Sequence, residues 1–450
     1  MATYVLGPKR IRGRCMDLVA GLILGGTVAV VIARQLVQRG PPVWVTFLAG
    51  AFLMVVAGVL PISAASNAIT ANLSVLVLLF SLFLFAAGLE QAGALDHLAR
   101  WILGRTRSPT NVPFVLFVAF GIVSAFVLND ALVLVGVPLL FSLSRRMRVS
   151  AEPLLLTLAF SVTVGSVPTP FGNPQNLLVS FSSGMPDPVA TFLRYLLLPT
   201  VVNLLLGGWY LRRVYRKRLA PATPTGDAGA AAAVGLFPQR AFAPLVRRYP
   251  TLAIFPITLA TLVTVDVTAA VAHGPAVPLF AIALGGAIVA LLLTPGRAEL
   301  FARVDWSILV LFAGIFVVVA GAVNGGVLSA IQSFFPIPGP NRPGPAIGSI
   351  LLTSLAGSQV TSNVPWVALQ IPLLHSLGYG ASDGWAWAAL AGGSTLAGNL
   401  TLLGAVSNLI VVQQAERAGV RIDLRSFVRE GGPLTAITVA VLFGCLLAGV

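Results

Sequence analysis

The chain has 450 residues, of which 57% are hydrophobic and 9% charged, with a mean hydropathy of +0.93. A soluble domain carries about 25% charged residues, so these figures argue against a soluble enzyme or a nucleic-acid-binding module in spite of a net charge of +14. The basic residues sit in short loops between apolar runs, as orientation signals and lipid-headgroup contacts do in an integral membrane protein. Cys15 and Cys445 are too few, and too apolar in their surroundings, for a disulfide framework or a thiolate metal site.

A spanning helix needs about 20 mostly apolar residues. In chain order such runs first fall at 17–38, 43–62 and 72–92. No convincing small-residue cleavage site follows the first, so it is read as a span and not as a removable signal peptide. The stretch 113–143 differs, because Asn129-Asp130 interrupts its middle. Each half holds about 14 residues, or about 21 Å of helix, short of a hydrocarbon core about 30 Å thick. A re-entrant hairpin is predicted. Arg100, Arg105 and Arg107 before it and Arg145, Arg146 and Arg148 after it then share one side, as the positive-inside rule wants.

The next run, 152–182, contains Pro168, Pro170 and Pro174, which cannot continue a helix. A span at 192–212 follows, then a basic linker at 213–249 with Pro221-Ala222-Thr223-Pro224-Thr225-Gly226, predicted to be a flexible cytoplasmic connection. Further runs fall at 250–272, 276–294, 306–330, 384–414 and 431–450, with a second polar-tipped hairpin at 346–377 around Ser362-Asn363. The run 384–414 breaks at Gly398-Asn399-Leu400-Thr401 and Gly404, without proline. Under this topology the tail with Lys9, Arg10, Arg12 and Arg14 lies on the side opposite most basic loops, against the rule.

The two halves repeat one another. Asn129 through Pro138-Leu139-Leu140 recurs as Asn363 through Pro372-Leu373-Leu374, and Gly172 through Asn176-Leu177 as Gly404 through Asn408-Leu409, at a nearly constant offset. Ala87-Gly88 and Ala320-Gly321 are a fainter echo. Residues 1–212 and 250–450 each hold five spans and a hairpin, and an odd number of crossings turns the second unit upside down. The expected fold is an all-α polytopic membrane protein of two inverted repeats with broken helices. In transporters of that kind the site lies near mid-membrane where the repeats meet.

A broken helix frees carbonyls for cations and aims a positive helix end at anions. The first set of candidate substrate- or ion-binding residues is Asn129, Asp130, Thr169, Gly172, Asn173 and Asn176. The second is Ser362, Asn363, Thr401, Gly404, Ser407 and Asn408. Gly, Pro, Ser and Thr also kink helices or let them pack closely without further purpose. Two breaks at matched positions, each after a polar-tipped hairpin, favour function.

Asp130, at the first tip, is the carboxylate least explained by a loop; such a group is costly at mid-membrane and usually functional. It is the candidate coupling residue, whether for Na⁺ or H⁺, against the alternatives that it pairs with a basic residue or only caps the following half-helix. Glu90, near the end of the third span, is a weaker coupling candidate that could simply reach the interface. Asp266 is a second candidate buried carboxylate, and His375 lies at the base of the second hairpin. Lys and Arg are absent from the site segments, so an anion there would rest on helix ends, amides and hydroxyls, or on a co-bound cation. No Gly-x-x-x-x-Gly-Lys-Ser/Thr loop occurs, so ATP drive would need a separate ATPase subunit as partner. No catalytic constellation stands out, and no cofactor is expected beyond Na⁺ or H⁺ as coupling ion.

Leu128-Asn129-Asp130-Ala131, Gly172-Asn173-Pro174-Gln175-Asn176, Ser362-Asn363-Val364-Pro365 and Gly404-Ala405-Val406-Ser407-Asn408 resemble the ion transporter superfamily, over nearly the whole chain. That group includes divalent anion/sodium symporters, arsenite permeases and a class of sodium/proton antiporters. The resemblance implies a homodimer of elevator-type transporters in which hairpins and broken helices carry substrate past a fixed scaffold. It also implies Na⁺ sites at Asn129, Asp130 and Asn173 and at Ser362, Asn363 and Asn408. The sequence departs from the sodium-coupled pattern at Asn129-Asp130 and at Val364, where threonine is expected. It is more similar there to the arsenite permease and sodium/proton antiporter branches. The expected function is secondary active transport of a small anion or oxyanion (arsenite-like, inorganic or carboxylate) coupled to H⁺ or Na⁺. The alternative is Na⁺/H⁺ antiport. The expected location is a bacterial inner (plasma) membrane.

Overall fold

The computed structural model describes residues 14–37, 40–94, 109–219, 248–275, 277–402 and 404–449. Among them every regular element is helical. The first half contains α1 (Arg14–Val37), α2 (Val43–Val56), α3 (Ile62–Ala71), α4 (Leu73–Gln91), α5 (Val112–Ser124), α6 (Asn129–Met147), α7 (Ala151–Gly165), α8 (Pro174–Ser182) and α9 (Pro188–Tyr215). The second contains α10 (Thr251–Val271), α11 (Leu279–Leu293), α12 (Arg297–Ala302), α13 (Trp306–Asn324), α14 (Val327–Phe334) and α15 (Pro343–Thr361). It continues with α16 (Asn363–Ser376), α17 (Gly384–Leu396), α18 (Val406–Arg417) and α19 (Leu424–Gly449).

Among the described residues six helices are long and apolar enough to cross a bilayer, namely α1, α4, α9, α10, α13 and α19. Several expected spans are shorter than their apolar runs. The run 43–62 ends as α2 at Val56, where Gly58 turns with φ 70° and Pro61 starts α3. The run 306–330 stops at Asn324 because Gly326, at φ 71°, redirects the chain into α14. The helices of both polar-tipped regions divide at their tips, and the runs 152–182 and 384–414 each divide in two. The first break is shifted: Pro174 does not prolong it but occupies the first position of α8, where its missing N–H costs nothing. Helix α9 runs on to Tyr215, into the start of the expected linker, whose residues 220–247 lie outside the described ones, as does the tail carrying Lys9, Arg10 and Arg12.

The helices pack as two interleaved bodies. One contains α1–α4 with α10–α14, and the other α5–α9 with α15–α19. Within them the partnerships are reciprocal between the halves. Helix α2 lies along α13 and α4 along α11; α5 lies along α7 and α15 along α17; α6 meets α18 and α16 meets α8. Helix α7 is buried at every residue but Glu152, and α17 at every residue. Helices apolar all round belong at the centre of a body, so the unwound ends of α7 and α17 sit at the heart of the second one. Exposed Leu18, Phe52, Leu198, Ile257 and Val271 face outward, as a lipid-facing surface requires.

Two carboxylates do structural work. Asp266, 1% exposed on α10, accepts a hydrogen bond from the Ala190 N–H at 2.9 Å. It caps the first turn of α9 from another helix, and α9 gains no capping bond from its own Asp187 side chain. Asp266→Ala is expected to destabilise the protein by about 1–2 kcal/mol, read as a lower melting temperature in detergent; unchanged melting would show the cap to be idle. Glu430, 1% exposed on α19, accepts from the Tyr215 hydroxyl and pairs with Arg218 and Arg429 at 3.1 Å each. Tyr210 donates to its carbonyl at 3.2 Å. These bonds fasten α19 to the end of α9.

Candidate functional site

The first break begins where α7 ends at Gly165 and closes where Asn173 restarts the helix, its Oδ1 accepting from the Asn176 N–H at 2.8 Å. The unwound carbonyls are then gathered by one side chain. Asn176 Nδ2 lies 3.0, 3.2 and 3.1 Å from the carbonyl oxygens of Ser166, Val167 and Thr169. Gly172 folds so tightly over Ser166 that a Cβ would stand 2.5 Å from the Ser166 carbonyl oxygen.

The first tip joins this loop. The Asn129 N–H donates to the Gly172 carbonyl at 3.3 Å, and the Thr169 hydroxyl donates to the Ala125 carbonyl. The Asn129 amide is oriented with Nδ2 toward the carbonyls of Gly172 and Val162, each at 3.1 Å, since Oδ1 there would face only acceptors. Its Oδ1 then faces Ser166 Oγ at 3.2 Å. Thr395 of α17 closes the cluster from the other half, donating to Asn176 Oδ1 at 3.0 Å and accepting from Asn173 Nδ2 and Gln175 Nε2 at 3.3 Å each.

The second break repeats the frame with fewer bonds. Asn408 Nδ2 donates to the Gly398 carbonyl at 2.6 Å, as Asn176 does in the first half. Gly404 folds over Ala397 as Gly172 does over Ser166, a Cβ standing 2.8 Å from the Ala397 carbonyl oxygen. The Thr401 hydroxyl donates to Gln359 Oε1 at 2.6 Å, and Gln359 Nε2 donates to the Ala397 carbonyl at 2.8 Å. A Cβ on Gly398 would lie 3.3 Å from Thr163 of α7 and 3.7 Å from Asn363 Nδ2, so the second tip, the second break and the first broken helix meet there.

The halves differ in what is left over. No side-chain polar atom of Ser124, Asn129, Asn173 or Asn176 is buried without a partner. In the second half Ser358 Oγ, Asn363 Oδ1, Asn408 Oδ1 and both amide atoms of Asn399 are buried with none. An unmade hydrogen bond on such a group costs about 1–3 kcal/mol, and unsatisfied groups in a native fold point to a ligand, ion or water. Their oxygens suit a hard cation such as Na⁺, and the Asn399 Nδ2 adds a donor. In the first half the amides that could ligate a cation are already engaged. Among the described residues no three His, Cys, Asp or Glu form a metal-binding group.

Four helices, α6, α8, α16 and α18, begin at the four signature motifs, which places positive helix ends around both clusters. Asp130 lies in the first turn of α6, half-buried, and caps nothing: α6 gains no side-chain capping bond, and no basic residue pairs with Asp130 among the described residues. Ser407 is buried in the first turn of α18. Glu90 is exposed at the end of α4 and pairs with Arg303 at 3.4 Å, away from both clusters. His375 lies 2.9 Å from the Ser182 carbonyl and 3.1 Å from the Tyr379 carbonyl, tying the ends of α16 and α8 together. A cavity of about 640 Å³ opens between α6 and α18, lined by Val137, Pro138, Ser142, Arg145, Gln414 and Arg417 among others.

Ser362, the single residue between α15 and α16, has φ 71° and ψ 163°, a region nearly restricted to glycine. Strain of this kind costs about 1–3 kcal/mol. Ser362→Gly is therefore expected to stabilise the fold by about 1 kcal/mol, seen as a higher melting temperature; a lower one would mean that the hydroxyl outweighs the strain. Sequence reasoning missed Ser124, Ser358, Thr163 and Thr395. The signal was present, since Ser124 and Ser358, and Thr163 and Thr395, are identities at the offset of the repeat.

A family model described as citrate transporter (CitMHS) matches residues 28–393. An uncharacterized transporter of Mycobacterium bovis is 28% identical over 375 residues, covering 82% of this chain and 84% of that protein. The silicon efflux transporter LSI3 of Oryza sativa subsp. japonica is 29% identical over 426 residues, with the same coverage of 82% and 84%. The crystal structure of the Alcanivorax borkumensis YdaH transporter is similar in fold, with a TM-score of 0.51 at 16% identity over 84% of this chain and 86% of that one. With its long apolar helices and polar breaks, the chain belongs to the citrate transporter family within the ion transporter superfamily and is a multi-pass membrane transporter.

Proposed function

We propose that the protein is a secondary active transporter of a small anion or oxyanion, coupled to H⁺ or Na⁺, built from two inverted repeats and working by an elevator motion. The observation that carries this reading is the set of buried, unpartnered polar atoms on Ser358, Asn363, Asn399 and Asn408. They offer both donor and acceptor groups and no fixed charge, which suits a hydroxylated oxyanion or its acid beside a cation. The silicon efflux named for the rice relative is in keeping with a ligand of that chemistry. Helix ends aimed at the clusters favour negative charge, and Arg145 and Arg417 on the cavity between α6 and α18 would draw anions toward them. The reciprocal packing of the halves supports the inverted repeat, and the division into two bodies supports motion of one past the other. A second reading, Na⁺/H⁺ antiport, rests on Asp130, the half-buried carboxylate that no basic residue pairs with among the described residues. Proton flux and anion-dependent Na⁺ flux, both followed in proteoliposomes, separate the two readings. Response to arsenite, sulfate, silicic acid or citrate is expected. Flux driven by Na⁺ with no response to any of them would overturn the anion reading.

A further inference from the structure

We propose that the C-terminal end of α9 binds the phosphate of an anionic phospholipid. A cavity of about 300 Å³ opens there, lined by Thr110 from the turn before α5 and by Trp209, Arg212, Arg213 and Arg216. Arg212 and Arg216 are four residues apart and so neighbours on one helix face. The Arg213 guanidinium stands 6.0 Å from the centre of the Trp209 ring, a cation–π contact that leaves its N–H groups available. Among the described residues the ion pairs involve Arg218, Arg303 and Arg429, and none of these three arginines. Three adjacent guanidiniums with no counter-charge among the described residues call for an anion, and the planar fork of arginine matches phosphate in pairs of hydrogen bonds.

What makes the anion a lipid is the surface leading to it. Leu198, Val201, Leu205 and Trp209 are 64%, 46%, 50% and 56% exposed, and their spacing puts them on one stripe that ends at the arginines. From Leu198 to Trp209 the helix rises about 16 Å, close to half of the roughly 30 Å hydrocarbon core. The stripe therefore has the length of one leaflet, with a tryptophan where headgroups begin and basic residues just beyond. Arginines at a helix C-terminus also answer the helix dipole, but that role requires neither the cavity nor the stripe.

Native mass spectrometry of the full chain in detergent tests this, with dioleoyl phosphatidylglycerol, dioleoyl phosphatidylcholine and glycerol phosphate as probes. Retention of phosphatidylglycerol is expected to exceed that of phosphatidylcholine and to fall about tenfold or more in R212Q/R213Q/R216Q. The charge-matched R342Q/R421Q/R425Q variant should keep it, with both variants melting like the parent protein. Equal losses in the two variants would reduce the effect to bulk charge and overturn the site. Displacement by glycerol phosphate at equal concentration would make it a free-phosphate site. A lipid-free dimer held through this face would assign the stripe to a second copy.

Discussion

Asp130→Asn is expected to abolish coupled transport while leaving the protein folded. The carboxylate begins α6 beside the first cluster, yet neither caps the helix nor pairs with a basic residue among those described. Asparagine has nearly the same shape and no charge to desolvate, so stability should hold or rise. No capping bond or ion pair among the described residues uses the charge that the substitution removes, and a charge kept at such cost within a membrane protein is usually functional. An amide cannot take up or release a proton, nor attract Na⁺ as a carboxylate does. Gradient-driven flux in proteoliposomes should fall to background, while counterflow of the same anion, which needs no net ion movement, should persist. Full driven flux would remove Asp130 from the coupling step. A collapse of melting temperature would give it a structural role instead.

The sequence made the frame of this site readable because the frame consists of breaks. Glycine and asparagine at matched offsets, with proline added in the first break, mark where helices stop, and the α-helices end at Gly165 and Leu396 and resume at Pro174 and Val406. Span boundaries were less legible, since Gly58 and Gly326 divide runs whose apolar content is continuous. Glu430 escaped for a related reason. It lies where the apolar run 431–450 begins, and only the extension of α19 back to Leu424 places it inside a helix against Tyr215. Least legible was the inequality of the two clusters. Asn176 and Asn408 look alike in sequence, and both gather the carbonyls of their own break. Which neighbours then find partners depends on how closely the surrounding helices approach, and no local pattern carries that.

Gly165→Ala is expected to cost about 3 kcal/mol, the upper part of the usual range for overpacking, and to lower transport with it. A Cβ at this position would stand 2.0 Å from the Gly121 carbonyl oxygen and 2.3 Å from its Cα. Both obstacles are backbone, so no rotamer change relieves them, and α5 must move away from α7. That approach is what assembles the first cluster. It brings the Ser124 hydroxyl to the Val162 carbonyl at 2.7 Å and sets Asn129 against Ser166 and Gly172. In the second half Gly121 and Gly165 correspond to Leu355 and Ala397, so side chains stand where the first half has none. Ser358, the counterpart of Ser124, is buried there without a partner. The two glycines are thus expected to set the difference between a half whose polar atoms bond one another and a half whose polar atoms stay unpartnered. Melting of Gly165→Ala in detergent, read beside anion-driven flux, checks the argument. Melting unchanged from the parent protein would mean that α5 and α7 part without cost, and would break this link between packing and site.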